Sequence, residues 1–335
     1  MRRIIPALAI AASCTALFGL AVFLGTVDVA PADVFEVLAG RGSGLAQLVV
    51  GELRLPRVLT GMLVGAHFAL AGFLLQAITR NPLADPSIIG VSQGATLAVT
   101  VFLLVSVYGG APGQDSLYAL PEAWLPAVGL GGGVLTGLTV YFLALRHDIG
   151  PLRVTLCGIA VGAVLQALAV GIIAGWGTSR IEILLQWLSG SLYARSWDDV
   201  AFLAPFTTVG VIALSLVRRP VDLLGFEVST ARAMGLAYGP YFTLVLVLAC
   251  GLAASAVGVV GPLAFVGLVV PHVARAAAGA RPGLVLSLTA ILGAALVTAA
   301  DLLGRLVGGT EEIPVGVVTA ILGAPALIIL LRRLP

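Results

Sequence analysis

Apolar residues run along this chain in long unbroken blocks, and polar residues gather in short segments between them. A hydrocarbon layer about 30 Å thick takes roughly 20 apolar residues of helix to cross. The informative measure is therefore the length of stretches lacking Asp, Glu and Arg. These predict spans over 4–27, 58–79, 86–108, 123–145, 154–175, 200–217, 239–258, 262–276, 282–302 and 313–331. The seventh and eighth come from one 42-residue stretch, 233–274, broken at Gly258-Val259-Val260-Gly261-Pro262. Glycine permits a reversal there, and Pro262 cannot continue a helix. The shorter stretch 183–194 cannot cross and is expected at the membrane surface. The pattern predicts an all-α, polytopic membrane protein of ten transmembrane helices, with residues 1–335 forming a single transmembrane domain.

Composition narrows the function. The chain is 59% hydrophobic and 10% charged, with a mean hydropathy of +1.10. A soluble domain carries roughly a quarter of its residues as charges, so a soluble enzyme, a disordered chain and a nucleic-acid-binding domain are excluded. All 18 basic residues are arginine. Without lysine, a phosphate-binding loop of the G-x-x-x-x-G-K-[ST] type is impossible. ATP, if the protein uses it, is bound by another subunit.

Arginine placement sets an expected orientation. With the N-terminus in the cytoplasm, twelve arginines fall on the inner side and six (Arg41, Arg54, Arg57, Arg180, Arg195 and Arg305) on the outer. Ten spans return the C-terminus to the cytoplasm. Arg2-Arg3 and the apolar run after them resemble a signal peptide, but the run continues past Cys14 far enough to span, so a retained first helix is expected. Cys14, Cys157 and Cys250 lie in separate spans without pair spacing and read as small packing residues.

Gly129, Gly133 and Gly137 repeat at every fourth position of the fourth span, and Gly158 with Gly162 repeat the spacing in the fifth. Small residues at this interval let helix backbones approach closely. Pro82-Leu83-Ala84 after the second span is echoed by Pro262-Leu263-Ala264 after the seventh, on opposite faces, as an inverted repeat requires.

A coupling ion or a membrane-embedded hydrolytic centre needs ionisable groups at mid-membrane. The acids here sit at span ends, such as Asp301, or in loops, such as Asp85, which argues against both. His67 is mid-span and reads either as a packed, hydrogen-bonded histidine or as a ligand. Two clusters remain. Outside, Arg54-Leu55-Pro56-Arg57 opens the second span, where the helix dipole disfavours cations, and Asp301 to Arg305 closes the ninth; a site for carboxylates on a partner would explain them. Inside, Arg218 to Tyr238 places Leu224, Val228 and Ala231 on one stripe of a short helix, suited to lie on the membrane or dock in a groove of a soluble subunit.

The segments RLPRVLTGMLVGAHFALAGFLLQAITRNPLADPSIIGVSQGA (54–95), WLSGSL (187–192), GPLAFVGLVVPHVAR (261–275) and EEIPVGVVTAILGAPALIILLRR (311–333) strongly resemble the permease subunits of ABC importers for iron-siderophores, haem and cobalamin, the FecCD-like family. The resemblance covers nearly the whole chain. It implies an inverted repeat of spans 2–5 against 7–10, and a pair of permeases, identical or paralogous, on two cytoplasmic ATPase subunits. A periplasmic or lipid-anchored binding protein delivers the cargo. The expected setting is the bacterial inner membrane, with both termini cytoplasmic. By motif, Arg54, Arg57 and Arg305 resemble the arginines that receive the binding protein. Arg219, Leu223, Leu224, Gly225, Ala231, Arg232, Met234 and Gly235 resemble the ATPase-coupling segment. The fifth span and the segment after it, 154–195, resemble the elements that line and gate the path, for which His67, Gln166 and Trp187 are candidates. No catalytic residue, metal ligand or cofactor is expected in this subunit; ATP and magnesium belong to the ATPase, and no nucleic-acid partner is implied. NPLADPSIIGVSQGA and WLSGSLYARSWDDV look more like ferric-siderophore permeases than cobalamin ones, with haem as a further alternative. From other classes, an ion-coupled secondary carrier and a non-transporting scaffold compete.

Overall fold

A computed structural model describes residues 4–108, 122–145, 150–175, 185, 187–279, 282–308 and 312–333. Among these residues the regular structure is entirely helical. Twelve helices follow in order: α1 (Ile4–Phe23), α2 (Pro31–Leu38), α3 (Gly44–Thr79), α4 (Val91–Tyr108), α5 (Leu125–Leu145), α6 (Pro151–Gly175), α7 (Trp197–Leu224), α8 (Val228–Ala233), α9 (Tyr238–Val260), α10 (Val266–Ala278), α11 (Pro282–Gly308) and α12 (Val315–Arg333). Each of the ten predicted spans has its helix, and α2 and α8 are short additions. Six helices are long and apolar enough to cross a membrane, α3, α5, α6, α7, α9 and α11; the apolar parts of α1, α4, α10 and α12 are shorter.

Two boundaries differ from the sequence expectation. The second span does not open at residue 58: α3 begins at Gly44 and runs unbroken for 36 residues, its stretch Gln47–Arg54 in the wider π form. The eighth span, expected over 262–276, is a 13-residue helix, about 20 Å long at 1.5 Å per residue, which is less than the hydrocarbon thickness. The turn takes up the difference. α9 ends at Val260, Gly261 has φ +83°, and Phe265 precedes α10 at φ +67°, so residues 261–265 are not helical.

The chain divides into two compact units. The first comprises Met1–Phe73, Ser189–Thr208 and Leu263–Pro335. In it α3 lies against α11 and α10 at backbone distance. A Cβ on Gly65 would stand 2.2 Å from the Gly293 carbonyl oxygen, and one on Gly72 would stand 1.9 Å from that of Gly267. Only glycine allows such approaches. The described end of the short stretch 183–194 packs against α12 on one side, while Tyr193 is exposed. Gly190 accepts a bond from Gly316 N at 3.1 Å, and Leu192 is fully buried.

The second unit comprises Leu74–Leu188 and Val209–Pro262. Here the stripe read from the fourth span finds its partner. Cβ atoms on Gly129, Gly133 and Gly137 would stand 2.6, 2.7 and 2.9 Å from Gly258, Ala254 and Cys250 of α9. Two small-residue ladders at every fourth position face each other, antiparallel. Gly158 packs in the same way on the turn Pro86–Ile89, 2.4 Å from the Ile88 carbonyl oxygen to its would-be Cβ.

The units are built alike. The first joins the second span to the eighth, ninth and tenth; the second joins the seventh to the third, fourth and fifth. Each repeat of four spans keeps three in one unit and gives its first to the other.

Candidate functional site

The arginine cluster forms at the C-terminal end of α1. A helix end leaves its last carbonyls without partners inside the helix. Leu24 N takes that of Leu20 at 2.8 Å. Arg54 donates from Nη1 to the carbonyls of Val22 (3.1 Å) and Phe23 (2.8 Å), and from Nη2 to that of Val27. Arg305 donates to the carbonyls of Leu24 (3.3 Å) and Ala21 (3.4 Å). Two guanidiniums from α3 and α11 thus cap the end of α1, where the helix dipole favours cations. Gly25 makes room, since a Cβ there would meet the Arg54 guanidinium at 2.8 Å.

Asp301 sits between the remaining charges. Its carboxylate accepts from Arg57 Nη2 at 2.7 Å and pairs with Arg305 Nε at 3.1 Å, while Glu312 holds Arg57 from the other side at 2.8 Å. Arg54 is 5% exposed and Arg305 4%, and both are spent on internal partners; the Arg57 side chain reaches the surface at 14%. The dipole argument at Arg54 falls as well, because α3 starts ten residues earlier. Glu312 was missed by the sequence reading as a partner of Arg57.

The predicted coupling segment spans the end of α7, the helix α8 and the turn into α9. Leu224 is not part of the short helix but the last residue of α7. Leu224 and Ala231 are fully buried, so the stripe read from sequence faces the protein, and Leu223 is partly buried beside it. The outward side carries Arg219, Gly225, Phe226, Arg232 and Met234, with Phe226 50% and Met234 52% exposed. Gly235, at φ +85°, ends α8, with Leu236 N bonding back to the Ala231 carbonyl at 3.0 Å. This left-handed closure seats Leu236 in the core and fixes the angle of the turn. Phe226 was overlooked because it lies off the stripe of Leu224, Val228 and Ala231.

The path candidates separate. His67 is fully buried and its Nε2 lies 2.7 Å from Thr207 Oγ1, whose hydroxyl donates to the Leu203 carbonyl at 3.0 Å. His67 and Thr207 thus share a buried hydrogen bond between α3 and α7. Trp187 is also buried, at 7%. Gln166 alone of the three is exposed, on α6. The expected gate segment lies outside the described residues at 176–184 and 186. At the opposite end of α3, the Asp85 carboxylate accepts from Ser87 N at 3.0 Å and caps the turn Pro86–Ile89. Burial pushes this carboxyl above its ordinary range, and the bonds from Ser87 pull it back. Among the described residues no group of three His, Cys, Asp or Glu side chains could hold a metal ion.

Comparison with known proteins places the chain. It is 32% identical over 95% of its length to the iron(3+)-hydroxamate import system permease protein FhuG of Bacillus subtilis, covering 93% of that protein. It is 34% identical over 86% of its length to the cobalamin import system permease protein BtuC of Halobacterium salinarum, covering 74% of it. Among solved structures, a chain of a metal-chelate type ABC transporter in an inward-facing conformation superposes with a TM-score of 0.79 at 29% identity, over 98% of this chain and all of that one. Residues 13–333 match the FecCD transport family, and the chain belongs to that family.

Proposed function

We propose that the whole chain acts as one membrane-spanning permease subunit of an ATP-driven importer, carrying a metal chelate across the bacterial inner membrane. Ferric siderophore is the cargo we favour, with haem and cobalamin as alternatives within the same family. The observation that supports the reading most directly is the 219–236 segment. It offers two exposed hydrophobes, Phe226 and Met234, between Arg219 and Arg232, on a turn held from behind by Leu224, Ala231 and Leu236. This is a knob for a groove on a soluble subunit, and it fits two separate ATPase subunits that bind ATP and magnesium. Both termini then lie in the cytoplasm with this knob.

The binding protein docks at the other face. There Arg57, held by Asp301 and Glu312, is the cation that can exchange carboxylates with it, while Arg54 and Arg305 support it by fixing the helix ends. A second permease copy or paralogue completes the path, which Gln166 faces. The secondary-carrier reading loses its best candidate for ion coupling, because Asp301 is already neutralised by two arginines.

The test is uptake into vesicles carrying the permease pair and its ATPase, loaded with ATP, supplied outside with the cognate binding protein and held without any ion gradient. Ferric hydroxamate, ferric citrate, haem and cobalamin are offered separately. ATP-dependent uptake of a ferric chelate is expected. Uptake that requires a gradient and ignores the ATPase would overturn the reading.

A further inference from the structure

α2 is eight residues long, far short of the length at which an isolated helix holds in water, so its surroundings must hold it. Its C-terminus is closed by Gly40 at φ +72°, with Gly40 N bonding to the Val37 carbonyl at 2.9 Å and Arg41 N to that of Glu36 at 2.8 Å. This left-handed closure fixes which way the side chains of α2 turn. Val34 and Val37 sink into a core with Ala21 of α1, Val50 of α3 and Leu302 of α11. At 3.6 residues per turn, Phe35 and Leu38 stand about 100° to one side of that stripe, and Asp33 and Glu36 about 100° to the other. Phe35 is 63% exposed and Leu38 50%, and both acids are exposed. α2 thus sorts its outward positions into an apolar flank and an acidic flank, which a helix surrounded by water has no reason to do.

The apolar flank continues an apolar surface. The Phe35 ring packs edge-on against Phe23, the last residue of α1, with 5.1 Å between centroids, and Leu20, Leu24 and Val27 around that helix end are exposed. α1 is a spanning helix to which no path or ATPase contact is assigned. A tryptophan marks the level. Trp197, exposed at the start of α7, donates its indole N–H to the Gly51 carbonyl at 3.1 Å. Gly51 is also where α2 rests on α3, since a Cβ there would stand 3.7 Å from Val37 Cγ1. Exposed tryptophan at the end of a membrane helix belongs to the belt at headgroup level, so α2 lies at the height of that belt.

We propose that α2 is an interfacial helix, lying in the plane of the membrane surface on the side of the arginine cluster, with Phe35 and Leu38 among the upper acyl chains and Asp33 and Glu36 facing water. Phe and Leu on one side of a short helix and charges on the other suit a lipid surface at this height. Arg54 holds the carbonyl of Phe23 at 2.8 Å, so the lipid anchor and the arginine cluster share one helix end. The inference rests on the membrane setting and not on the cargo or the ATPase.

The test uses the complete importer, permeases with ATPase, in lipid nanodiscs. Tryptophan emission is read as variant minus parent, since the chain has four tryptophans of its own. Phe35→Trp and Leu38→Trp probe the apolar flank and Asp33→Trp the acidic one. A side chain buried about 5–10 Å into the headgroup and acyl boundary lies beside bromines placed high on the acyl chain. The emission added by Phe35→Trp is therefore expected to shift to the blue and to lose intensity in such lipid, and to lose less where the bromines sit at the chain end. That of Asp33→Trp is expected to keep its intensity in both lipids and to be quenched by aqueous iodide. If Phe35→Trp does not assemble, Leu38→Trp carries the same expectation. Equal lipid quenching on the two flanks, or iodide quenching of the apolar flank without lipid quenching, overturns the proposal. So does emission that escapes brominated lipid and shifts to the blue only when the binding protein is added, which would make this flank a docking surface for that soluble partner.

Discussion

Asp301 shows how much one side chain carries in this fold. It is 4% exposed and is shared by Arg57 and Arg305. Removing one partner of a buried ion pair leaves an uncompensated charge and costs about 3–5 kcal/mol, whereas replacing the set by apolar groups is much cheaper. Asp301→Asn is therefore expected to destabilise the protein by about 3 kcal/mol or more, measured as an earlier midpoint in denaturing mixed micelles. Adding Arg305→Leu should recover part of the loss, because the stranded cation leaves with its partner. A single variant as stable as the parent would mean that water reaches this cluster. The sequence showed that these residues belong together but not where they lie. Arginine near a span end reads as a rim charge that snorkels to headgroups. Nothing local in Arg54-Leu55-Pro56-Arg57 reveals that the open carbonyls of α1, some thirty residues earlier, are waiting for it.

At the scale of elements, the 219–236 segment carries the sharpest disagreement between period and geometry. Leu224, Val228 and Ala231 share a stripe only if one helix contains them all, and the break at Gly225 puts Leu224 on α7 and the others on α8. Buried and exposed apolar positions then exchange roles, with Leu224 and Ala231 inward and Phe226 and Met234 outward. Phe226→Asp with Met234→Asp should leave the helices folded and lower chelate-stimulated ATPase activity of the assembled importer by an order of magnitude, the loss expected when central apolar anchors of an interface are charged. Leu224→Asp should instead lower expression and thermal stability, since it places a carboxylate in a core position. The two outcomes separate contact from support. Coupled activity at the parental level in the Phe226/Met234 variant would place the ATPase contact on another cytoplasmic segment.

Over the whole molecule, the ten helices and the glycine stripe of the fourth span were legible, because length and every-fourth-residue spacing are imposed by the bilayer and by helix geometry. The start of α3 was not, because a rule that ends spans at charges assumes each charge needs water, and Arg54 finds carbonyls instead. Which spans pack together was equally hidden, since small residues recur throughout the chain and their partners are set only by the exchange between repeats. That exchange has a consequence for assembly. α3 needs α10 and α11 against Gly72 and Gly65, and α9 needs α5 against Gly258 and Ala254, so each half of the chain holds one helix whose close-packed partners belong to the other. In a bilayer no hydrophobic force drives helices together, and such van der Waals contacts between small residues carry much of the association. A chain divided after Gly225 should therefore yield two fragments that insert but are degraded when expressed alone. Expressed together they should become protease-resistant and co-purify. Gly65→Leu in one fragment or Gly133→Leu, whose Cβ would stand 2.7 Å from Ala254, should abolish that rescue, one through each unit. Protease resistance of residues 1–225 alone would show that the first repeat closes on itself and that the exchange is not needed for folding.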